Sequence, residues 1–368
     1  MKKIALIEPG VKNHTPIILN WARICELKGW EFTVYTTKDC YDLVENDLVK
    51  INSFVGVVVL GDLSISSIPK YIKEFKKFDD VLVASLYSQY LEYFILSLFS
   101  QNFSLTVHNI NKWFNFRSDA DGLYKKTREN IHYIWRKGII KNLNKVVVNS
   151  NNQKDYLVSK YEYVNVDVIP FKMSFTDTDT DTDTDTDSIR KKVVYPGIVC
   201  SQRRNYKNFL FLVESYPNVD FILLGQLKNN ADGKYIKSNI LDKKLNNITC
   251  YESYVTNECF ELQMRRADVI FSDVKVDSNG ETYGQSKDSG ASYLMAEYAL
   301  PFIVNDDFNN LSCLNVATSY FSDRESLVKV FEELIFNDIN IKRKVNSILE
   351  NRKTISLKYI ANRFNGLS

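Results

Sequence analysis

Short apolar runs rich in β-branched residues alternate with helical patterns along the first half of the chain. The strand-like runs are 4–7, 31–35, 55–60, 81–84, 104–107 and 145–148, and the helical patterns are 16–28, 68–78, 87–99, 121–143 and 153–161. Each strand-like run is followed by a crossover connection. This alternation predicts a parallel, doubly wound sheet with helices on both faces.

The pattern stops at 176–187, which is six consecutive Thr-Asp dipeptides. The tract has no apolar residue to bury and carries one sign of charge, so it predicts a solvated linker. The alternative is a calcium-binding tract. Calcium loops need glycine-shaped turns and spaced ligands, which this repeat lacks, and the linker is therefore favoured.

The alternation restarts after the linker. The strand-like runs are 193–195, 219–224, 248–251, 268–272 and 301–304, and the helical patterns are 207–215, 234–243, 257–266 and 291–299. The stretch 323–364 predicts two or three helices with a break near Asn337 and Asp338. The expected fold is α/β, with two Rossmann-like domains and a ligand-binding cleft between them.

The predicted domain limits follow from this pattern. Residues 1–172 form the first Rossmann-like domain, 173–190 the linker, 191–337 the second domain and 338–368 the last helices, for which a return to the first domain is an alternative. The 368 residues suit two domains of ordinary size.

Charge and cysteine usage narrow the classes of protein. The chain has 47 Lys and Arg against 45 Asp and Glu, so nothing favours a nucleic-acid-binding protein. The six cysteines form no C-x-x-C pair, which is typical of a reducing, cytoplasmic location. The apolar N-terminal run meets Glu8-Pro9-Gly10 too early for a signal peptide, and polar residues interrupt the apolar stretch 81–99.

The first candidate site is the segment 194–208, where a strand ends at Gly197 and a loop presents Arg203, Arg204 and Lys207 before a helix. Guanidinium groups fork onto phosphate oxygens, and a helix N-terminus adds positive potential, so the segment suits a diphosphate. An exposed, solvated basic loop is the alternative interpretation.

The second candidate site is the polar loop 280–292, which precedes a predicted helix. Loops of this length inside a domain are usually functional or disordered. Its small residues Ser289, Gly290 and Ala291 allow phosphate oxygens to approach the first helical N–H groups, and Lys287 adds a cation. Ser289 also suits an ordinary helix N-cap in either case.

Together these segments resemble the C-terminal domain of family 4 type glycosyltransferases of the GT-B fold, which include bacterial polysaccharide and lipooligosaccharide enzymes. The resemblance covers residues 193–304. It rests on Pro196-Gly197, on Arg203 or Arg204 with Lys207-Asn208, on Leu223-Leu224-Gly225, and on Ser289-Gly290-Ala291 followed by the run up to Val304. The order of these elements also agrees with the family.

The resemblance implies a nucleotide-sugar donor bound mainly by the C-terminal half, with no separate cofactor. Arg203, Arg204, Lys207 and Lys287 would then neutralise the donor diphosphate as it leaves. Because these protein cations would neutralise the diphosphate, a metal-independent reaction is expected. Arg204 and Lys287 are expected to be exposed cations.

One position departs from the family. The family usually carries a Glu that contacts the ribose seven residues before the Pro that ends the helix, and here that position is Leu294. Glu297, one helical turn further on, and Glu281, upstream in the loop, are the two candidate replacements. Because the family's pair of glutamates is incomplete, the sequence predicts neither retention nor inversion at the anomeric carbon.

Two of the three histidines are candidate catalytic residues. His108 follows a predicted strand at its carboxyl end, where ligands bind in open parallel sheets, and the resemblance also expects a histidine there. It would contact the transferred sugar or take a proton from the acceptor hydroxyl. His14, in the loop after the first strand, is the second candidate. A hydrogen-bonded structural histidine is the alternative for both.

The segment 113–145 is basic and interleaved with aromatic residues. It holds Arg117, Lys125, Lys126, Arg128, Arg136, Lys137, Lys141 and Lys145. A helix of this kind is either a solvated face with core aromatics or a helix that rests on an anionic membrane, which would suit a lipid-linked acceptor.

The sequence therefore predicts a cytoplasmic, hexosyltransferase-like glycosyltransferase of bacterial polysaccharide biosynthesis, with peripheral contact at the inner face of the membrane as an option. Its acceptor would be a glycan or a lipid-linked glycan, selected by loops around His14, His108 and 109–121. Two alternatives stay open. One is a nucleotide-sugar 2-epimerase of the same fold, and the other is a non-catalytic nucleotide- or glycan-binding protein, which the missing Glu at Leu294 favours.

Overall fold

The structure is a computed structural model that describes residues 1–10, 14–61, 63–100, 102–116, 122–173, 190–276 and 280–366. The Thr-Asp tract at 176–187 lies outside the described residues, and so does Arg117 of the basic segment. Contacts between residues divide the chain into two compact units. Unit 1 comprises Met1–Phe175, Ser286–Asp288 and Thr354–Ser368, and unit 2 comprises Thr176–Gln285 and Ser289–Lys353.

Unit 1 is built on one sheet of seven strands. The strands are β1 (Lys3–Glu8), β2 (Glu31–Thr36), β3 (Phe54–Val59), β4 (Asp80–Val83), β5 (Phe103–Thr106), β6 (Lys145–Val148) and β7 (Val166–Val168). The helices between them are α1 (Thr15–Lys28), α2 (Lys38–Asp42), α3 (Glu45–Leu48), α4 (Ile68–Phe75), α5 (Tyr90–Phe99), α6 (Ile110–Phe114), α7 (Leu123–Asn142) and α8 (Asn151–Tyr161). The strand order is β3-β2-β1-β4-β5-β6-β7, and all neighbours are parallel.

The sheet of unit 1 is buried on both faces, as expected for a parallel sheet covered by helices. Along β1, Ala5 and Ile7 contribute to one apolar core, while Ile4 and Leu6 contribute to the other. This alternation follows from the two-residue period of a strand. The continuous apolar run of the first strand thereby contributes to both cores.

The last helix of the chain, α15 (Leu357–Arg363), belongs to unit 1. It packs on α1, where the rings of Trp21 and Phe364 meet edge to face with centroids 5.3 Å apart. The Lys145 Nζ donates a hydrogen bond to the carbonyl oxygen of Gly366 at 2.9 Å. The C-terminal segment therefore completes one of the two cores of unit 1.

Unit 2 is built on a second parallel sheet, of six strands. Its strands are β8 (Lys192–Pro196), β9 (Asp220–Gln226), β10 (Ile248–Tyr251), β11 (Val269–Ser272), β12 (Phe302–Asn305) and β13 (Thr318–Phe321). Its helices are α9 (Lys207–Ser215), α10 (Ala231–Asp242), α11 (Asn257–Arg265), α12 (Gly290–Tyr298), α13 (Arg324–Ile335) and α14 (Asp338–Asn351). The strand order is β10-β9-β8-β11-β12-β13.

Aromatic packing holds the main core of unit 2 together. The ring of Phe209 in α9 lies 5.3 Å from that of Tyr195 and 5.6 Å from that of Phe221, and Phe221 stacks on Phe331 of α13 at 6.0 Å. Such pairs add stability beyond the burial of their area. The abundant Phe and Tyr of the sequence are therefore used in large part for packing.

The predicted fold of two Rossmann-like α/β units is confirmed, and so is the helix break near Asn337, which caps α14 by accepting a hydrogen bond from the Asn340 N–H at 3.2 Å. Two strands were not predicted. They are β7 and β13, and each is a short edge strand of its sheet. Edge strands have little apolar patterning because only part of their surface is covered, so their signal in the sequence is weak.

Candidate functional site

The order of the strands reverses once in each sheet, and ligands of open α/β sheets bind at the carboxyl ends of the strands at such a point. In unit 1 the reversal lies between β1 and β4, and in unit 2 it lies between β8 and β11. Most of the residues predicted from the sequence lie on loops that follow these strands or their neighbours. Each unit therefore offers a separate candidate site.

In unit 1, His108 lies two residues after β5 and is fixed by the loops of both neighbouring strands. Its Nε2 lies 3.0 Å from the carbonyl oxygen of Ala84, and its Nδ1 lies 3.1 Å from Nδ2 of Asn149. A carbonyl only accepts and an amide NH₂ only donates, so the ring carries its proton on Nε2 and accepts at Nδ1. Both ring nitrogens of His108 are therefore engaged by the protein.

His14 lies directly before α1, and its ring is 4.5 Å from the ring of His108 between centroids. Phe171 closes the group, at 5.6 Å from His14 and 6.0 Å from His108. The Nδ1 atom of His14 is buried and has no hydrogen-bond partner among the described residues. Of the two histidines, only His14 retains a ring nitrogen that the described protein does not engage.

Both imidazoles have lowered pKa values. Burial lowers the pKa of His14. Burial, and secondarily the neighbouring His14, lowers the pKa of His108 to about 3, against the opposing hydrogen bond to the Ala84 carbonyl. Two neutral imidazoles therefore lie side by side at neutral pH, and a neutral imidazole can accept a proton or a hydrogen bond.

Glu8, which was not predicted as a site residue, ends β1 and is fully buried. Its Oε2 accepts a hydrogen bond from the Ser85 Oγ at 2.6 Å, and its Oε1 accepts one from the Gly10 N–H at 3.2 Å. These contacts join the loops after β1 and β4 at the point where the strand order reverses. An acidic residue at the end of an apolar strand was the available signal for it.

Lys287, predicted to bind the donor phosphates, is half-buried and belongs to unit 1. Its backbone forms an antiparallel bridge with Asn109, and the Ile110 N–H donates to the Ser286 carbonyl oxygen at 2.8 Å. Lys287 is thus half-buried, whereas a fully exposed cation was expected, and it belongs to unit 1, while Arg203, Arg204 and Lys207 belong to unit 2. It lies beside the residue that follows His108.

In unit 2, the loop after β8 depends on two glycines. Gly197 has a φ of 104°, and a Cβ there would collide with the Arg204 guanidinium. A Cβ on Gly225 would collide with the carbonyl group of Gly197, whose N–H donates to the Leu224 carbonyl oxygen at 2.9 Å. Both glycines therefore allow the backbone and Arg204 to pack closely at the strand ends.

Arg204 is half-buried, which corrects the expectation of a fully exposed cation. Its Nη1 donates to the Pro196 carbonyl oxygen, and its guanidinium carbon lies 5.0 Å from the centroid of the Tyr195 ring. Stacking of this kind is favourable for a guanidinium. Arg203 and Lys207, by contrast, are exposed.

A buried carboxylate, Asp273, supports the same loop and was also missed. It follows β11, is 3% exposed, and accepts a hydrogen bond from Asn208 Nδ2 at 2.7 Å, while its carbonyl oxygen accepts one from the Asn205 N–H at 2.8 Å. Burial, only partly opposed by the Asn208 hydrogen bond, raises the pKa of Asp273 to about 6. Asp273 thus links β11 to the Arg204 loop and to α9.

The start of α12 has the geometry predicted for it. Ser289 is the N-cap, and its Oγ accepts a hydrogen bond from the Ala291 N–H at 3.3 Å. Gly290 is exposed, and a Cβ placed on it would meet nothing within 4 Å. Ala291 is buried. The first turn of α12 therefore has open space beside an exposed backbone.

The two candidate replacements for the family's ribose-binding Glu differ in exposure. Glu281 is 2% exposed, whereas Glu297 in α12 and the neighbouring Leu294 are half-buried. A carboxylate buried to this extent needs protein partners, so Glu281 is held by the protein itself. Glu297 is the more accessible of the two side chains.

Solved structures with the same fold cover nearly all of the chain. A glycosyltransferase from Rickettsia africae superposes with a TM-score of 0.66 and 14% identity, over 98% of this chain and 96% of that one. Anabaena Alr3699/HepE in complex with UDP has a TM-score of 0.66 and 12% identity, over 99% and 98%. A putative UDP-N-acetylglucosamine 2-epimerase from Listeria monocytogenes has a TM-score of 0.55 and 13% identity, over 99% and 95%.

No protein-family model and no curated protein sequence matches the chain. The structural likeness, at these low identities, establishes the fold: two Rossmann-like units as in GT-B glycosyltransferases. The fold predicted from the sequence is therefore confirmed by the structure and by its structural neighbours.

Proposed function

We propose that the chain is a glycosyltransferase that moves a sugar from a nucleotide-diphosphate donor to a hydroxyl group of a glycan or lipid-linked acceptor. The observation that carries the proposal is the loop after β8, in which Gly197 leaves room for a guanidinium fixed at the strand ends. Anabaena HepE, which shares the fold, has been solved with UDP, with UDP and glucose, and with UDP-glucose. A nucleotide-sugar donor is the ligand that suits both facts.

In this proposal the donor diphosphate binds in unit 2. Arg204 offers its remaining N–H donors from a fixed position, and the exposed Arg203 and Lys207 add charge. The open first turn of α12 at Gly290 supplies backbone N–H groups and the positive end of a helix dipole. Preorganised donors of this kind stabilise the negative charge that grows on the leaving group.

The sequence favoured His108 over His14 as the catalytic residue, and we propose the reverse. His108 has both nitrogens engaged, so we assign it to positioning the ring of His14. His14 is only partly buried and its imidazole is neutral, which suits contact with a sugar hydroxyl or acceptance of the acceptor proton. His14 is the proposed catalytic residue.

The test begins with a thermal-shift screen of nucleotide sugars, because a ligand that binds the folded state alone raises its apparent stability. We expect a shift with at least one nucleoside-diphosphate sugar, and continued transfer in EDTA, since protein cations neutralise the diphosphate. Arg204→Ala should weaken nucleotide binding by about 10- to 100-fold, the usual cost of one charge-assisted hydrogen bond. Parental affinity in Arg204→Ala and in an Arg203→Ala and Lys207→Ala double variant would overturn the donor site.

Two alternatives are separated by the same assay. The likeness to the Listeria 2-epimerase keeps a nucleotide-sugar epimerase in view. Donor turnover without any acceptor would favour the epimerase, and donor binding with neither transfer nor hydrolysis would favour a non-catalytic binding protein. Product formation that requires an added acceptor supports the glycosyltransferase.

We further propose that the enzyme works at the cytoplasmic face of an anionic membrane through α7. The exposed side of α7 carries Leu123, Tyr124, Ile131 and Ile134, which are 84%, 77%, 47% and 61% exposed, and Lys137 and Lys141 are exposed on the same helix. Among the described residues, no helix is both long and apolar enough to cross a membrane. A helix with exposed apolar and basic side chains suits the membrane surface.

Vesicle flotation tests this contact. We expect the protein to float with vesicles that contain phosphatidylglycerol and to remain free with vesicles of phosphatidylcholine alone. Ile134→Ser should weaken the association with little change in the melting temperature, because its side chain is exposed. Equal flotation with both kinds of vesicle would contradict an anionic membrane contact.

A further inference from the structure

Unit 1 contains a cavity of 440 Å³ on the side of β1 that faces β2 and β3. Residues that follow the carboxyl ends of these strands form one wall, and they include Pro9, Thr37 and Gly61. Side chains of α4 and α5, among them Tyr71 and Tyr93, form the opposite wall. This volume lies within the range of small-molecule sites.

The lining combines apolar walls with neutral polar groups. Ile7, Leu60, Leu63, Phe75 and Leu96 supply the apolar surface, and Thr37, Ser88, Gln89 and the tyrosines Tyr71, Tyr87 and Tyr93 supply the polar groups. None of the described lining residues carries a charge. Burial raises the pKa of both Tyr71 and Tyr93, which keeps these phenols neutral. A phosphate or carboxylate would be desolvated here without a partner cation.

The loop between β4 and α5 has an unusual backbone conformation where it lines the cavity. Gln89 is a non-glycine residue in the left-handed region, with φ of 57° and ψ of 38°, and its Nε2 donates to the Leu63 carbonyl oxygen at 2.7 Å. A non-glycine residue adopts this unfavourable backbone conformation only where contacts with its surroundings stabilise it. Next to it, Tyr87 is 50% exposed, which leaves an aromatic ring at the solvent boundary.

The same loop connects the cavity to the histidine pair. It begins at Ala84, whose carbonyl oxygen binds His108, continues through Ser85, which donates to Glu8, and reaches Ser88 and Gln89 in the cavity wall. A ligand in the cavity would therefore lie at the same carboxyl edge as the proposed catalytic residue.

We propose that this cavity binds an uncharged sugar unit of the acceptor. Sugar rings present apolar C–H faces, which suit the tyrosine and leucine walls, and hydroxyl groups, which suit neutral donors and acceptors. The inference rests on the proposed glycosyltransferase function and adds a substrate class to it: the acceptor carries a neutral sugar beside the reacting hydroxyl.

The test uses the full-length protein and saturation-transfer NMR with methyl glucoside, methyl galactoside and methyl N-acetylglucosaminide as probes. Glucuronic acid and cyclohexanol serve as charged and apolar comparisons. We expect binding of at least one neutral glycoside, unchanged at high salt because no ion pair is involved. A stronger signal from cyclohexanol or from glucuronic acid than from every glycoside would overturn the neutral-sugar assignment.

Two variants tie the signal to the cavity. Gly61 lines the cavity and a Cβ on it would meet nothing within 4 Å, so Gly61→Phe adds a ring at the cavity wall without a backbone clash and should reduce glycoside binding. Gln89→Gly keeps the left-handed backbone, removes the amide, and should weaken binding by about two- to tenfold. Gly56→Phe is the matched control, because Gly56 in β3 has equal open space but does not line the cavity.

The outcome separates this inference from the proposed function. If the nucleotide-sugar shift and acceptor-dependent transfer persist while Gly61→Phe leaves both glycoside binding and the acceptor KM unchanged, the cavity assignment is wrong and the glycosyltransferase stands. If no nucleotide sugar binds the parent protein, the proposed function itself fails.

Discussion

The two units share one architecture, yet the carboxyl ends of their sheets carry different chemistry. In unit 1 the described groups at this edge include neutral histidines, tyrosines and amides, the buried Glu8 carboxylate and, paired with Asn109, the half-buried Lys287. In unit 2 they include glycines, the stacked Arg204 and the exposed first turn of α12. The same strand-loop-helix scaffold therefore presents mainly uncharged side chains in unit 1 and a stacked guanidinium in unit 2.

This contrast indicates that a few loop residues, and not the sheet, decide the ligand preference of a Rossmann-like unit. In unit 2 the absence of side chains at Gly197 and Gly225 allows a guanidinium to pack at the strand ends. In unit 1 the equivalent edge holds the half-buried His14, His108 and Phe171, and burial lowers the pKa of both histidines. The proposed anionic donor and the proposed neutral acceptor sugar suit this division.

The largest expected effect concerns His14. His14→Ala should lower the transfer rate by about a hundredfold or more, the usual contribution of a general base, while nucleotide affinity, which depends on unit 2, should stay near the parental value. The rate per folded molecule and the nucleotide Kd are measured on one preparation. His132→Ala is the control, because the third histidine lies on α7 and is not part of the ring cluster.

If His14→Ala transfers sugar at the parental rate and His108→Ala does not, the assignment of roles made from the engaged nitrogens is reversed. His108→Ala by itself should destabilise unit 1 by about 1–3 kcal/mol, because Asn149 and the Ala84 carbonyl each lose a partner.

The next largest expected effect concerns the close contact between Gly225 and the Gly197 backbone in unit 2. Gly225→Ala should lower the free energy of unfolding by about 1–3 kcal/mol and also weaken nucleotide binding, because the added Cβ collides with the Gly197 carbonyl group and displaces the Arg204 loop. Urea unfolding and nucleotide titration measure both. The control in unit 1 is Gly56→Ala, which meets open space and should leave both quantities almost unchanged. Equal effects of the two variants would mean that the loop adapts to the extra carbon.

Much of this contrast could be predicted from the sequence. Alternating apolar runs and helical patterns predicted both sheets except the edge strands β7 and β13, and the glycine after β8 followed by cations identified the loop that contains Arg204. Such patterns are local, because they involve residues that are close in sequence. The inward position of Arg204 could not be predicted in this way, because its stacking on Tyr195 forms only once the strand end has folded.

Three features of the structure could not be predicted from local sequence patterns alone. Lys287 lies with unit 1 because its backbone pairs with Asn109, a contact between residues far apart in sequence. Glu8 and Asp273 became informative only once their burial was visible, although each stands at the carboxyl end of an apolar strand run. An acidic residue at such a position is a signal that deserves weight in similar sequences.

The smallest expected effect is the pH dependence of stability, which should have opposite signs in the two units. The folded pKa of His108, about 3, lies below its ordinary value, so the unfolded chain binds a proton first as the pH falls, and unit 1 loses stability below about pH 6.5. The folded pKa of Asp273, about 6, lies above its ordinary value, so the folded state binds the proton first, and unit 2 gains stability as the pH falls through 6. Acidification from about pH 7 to about pH 5 should change the free energy of unfolding of each unit by about 1–2 kcal/mol, in opposite directions.

The two units can be observed separately. All four tryptophans, Trp21, Trp30, Trp113 and Trp135, lie in unit 1, so urea unfolding followed by tryptophan emission reports unit 1, while circular dichroism reports both units. His108→Gln should flatten the pH dependence seen by tryptophan emission, and Asp273→Asn should flatten only the part seen by circular dichroism. A tryptophan-detected stability that rises on acidification would show that the buried histidines do not control unit 1.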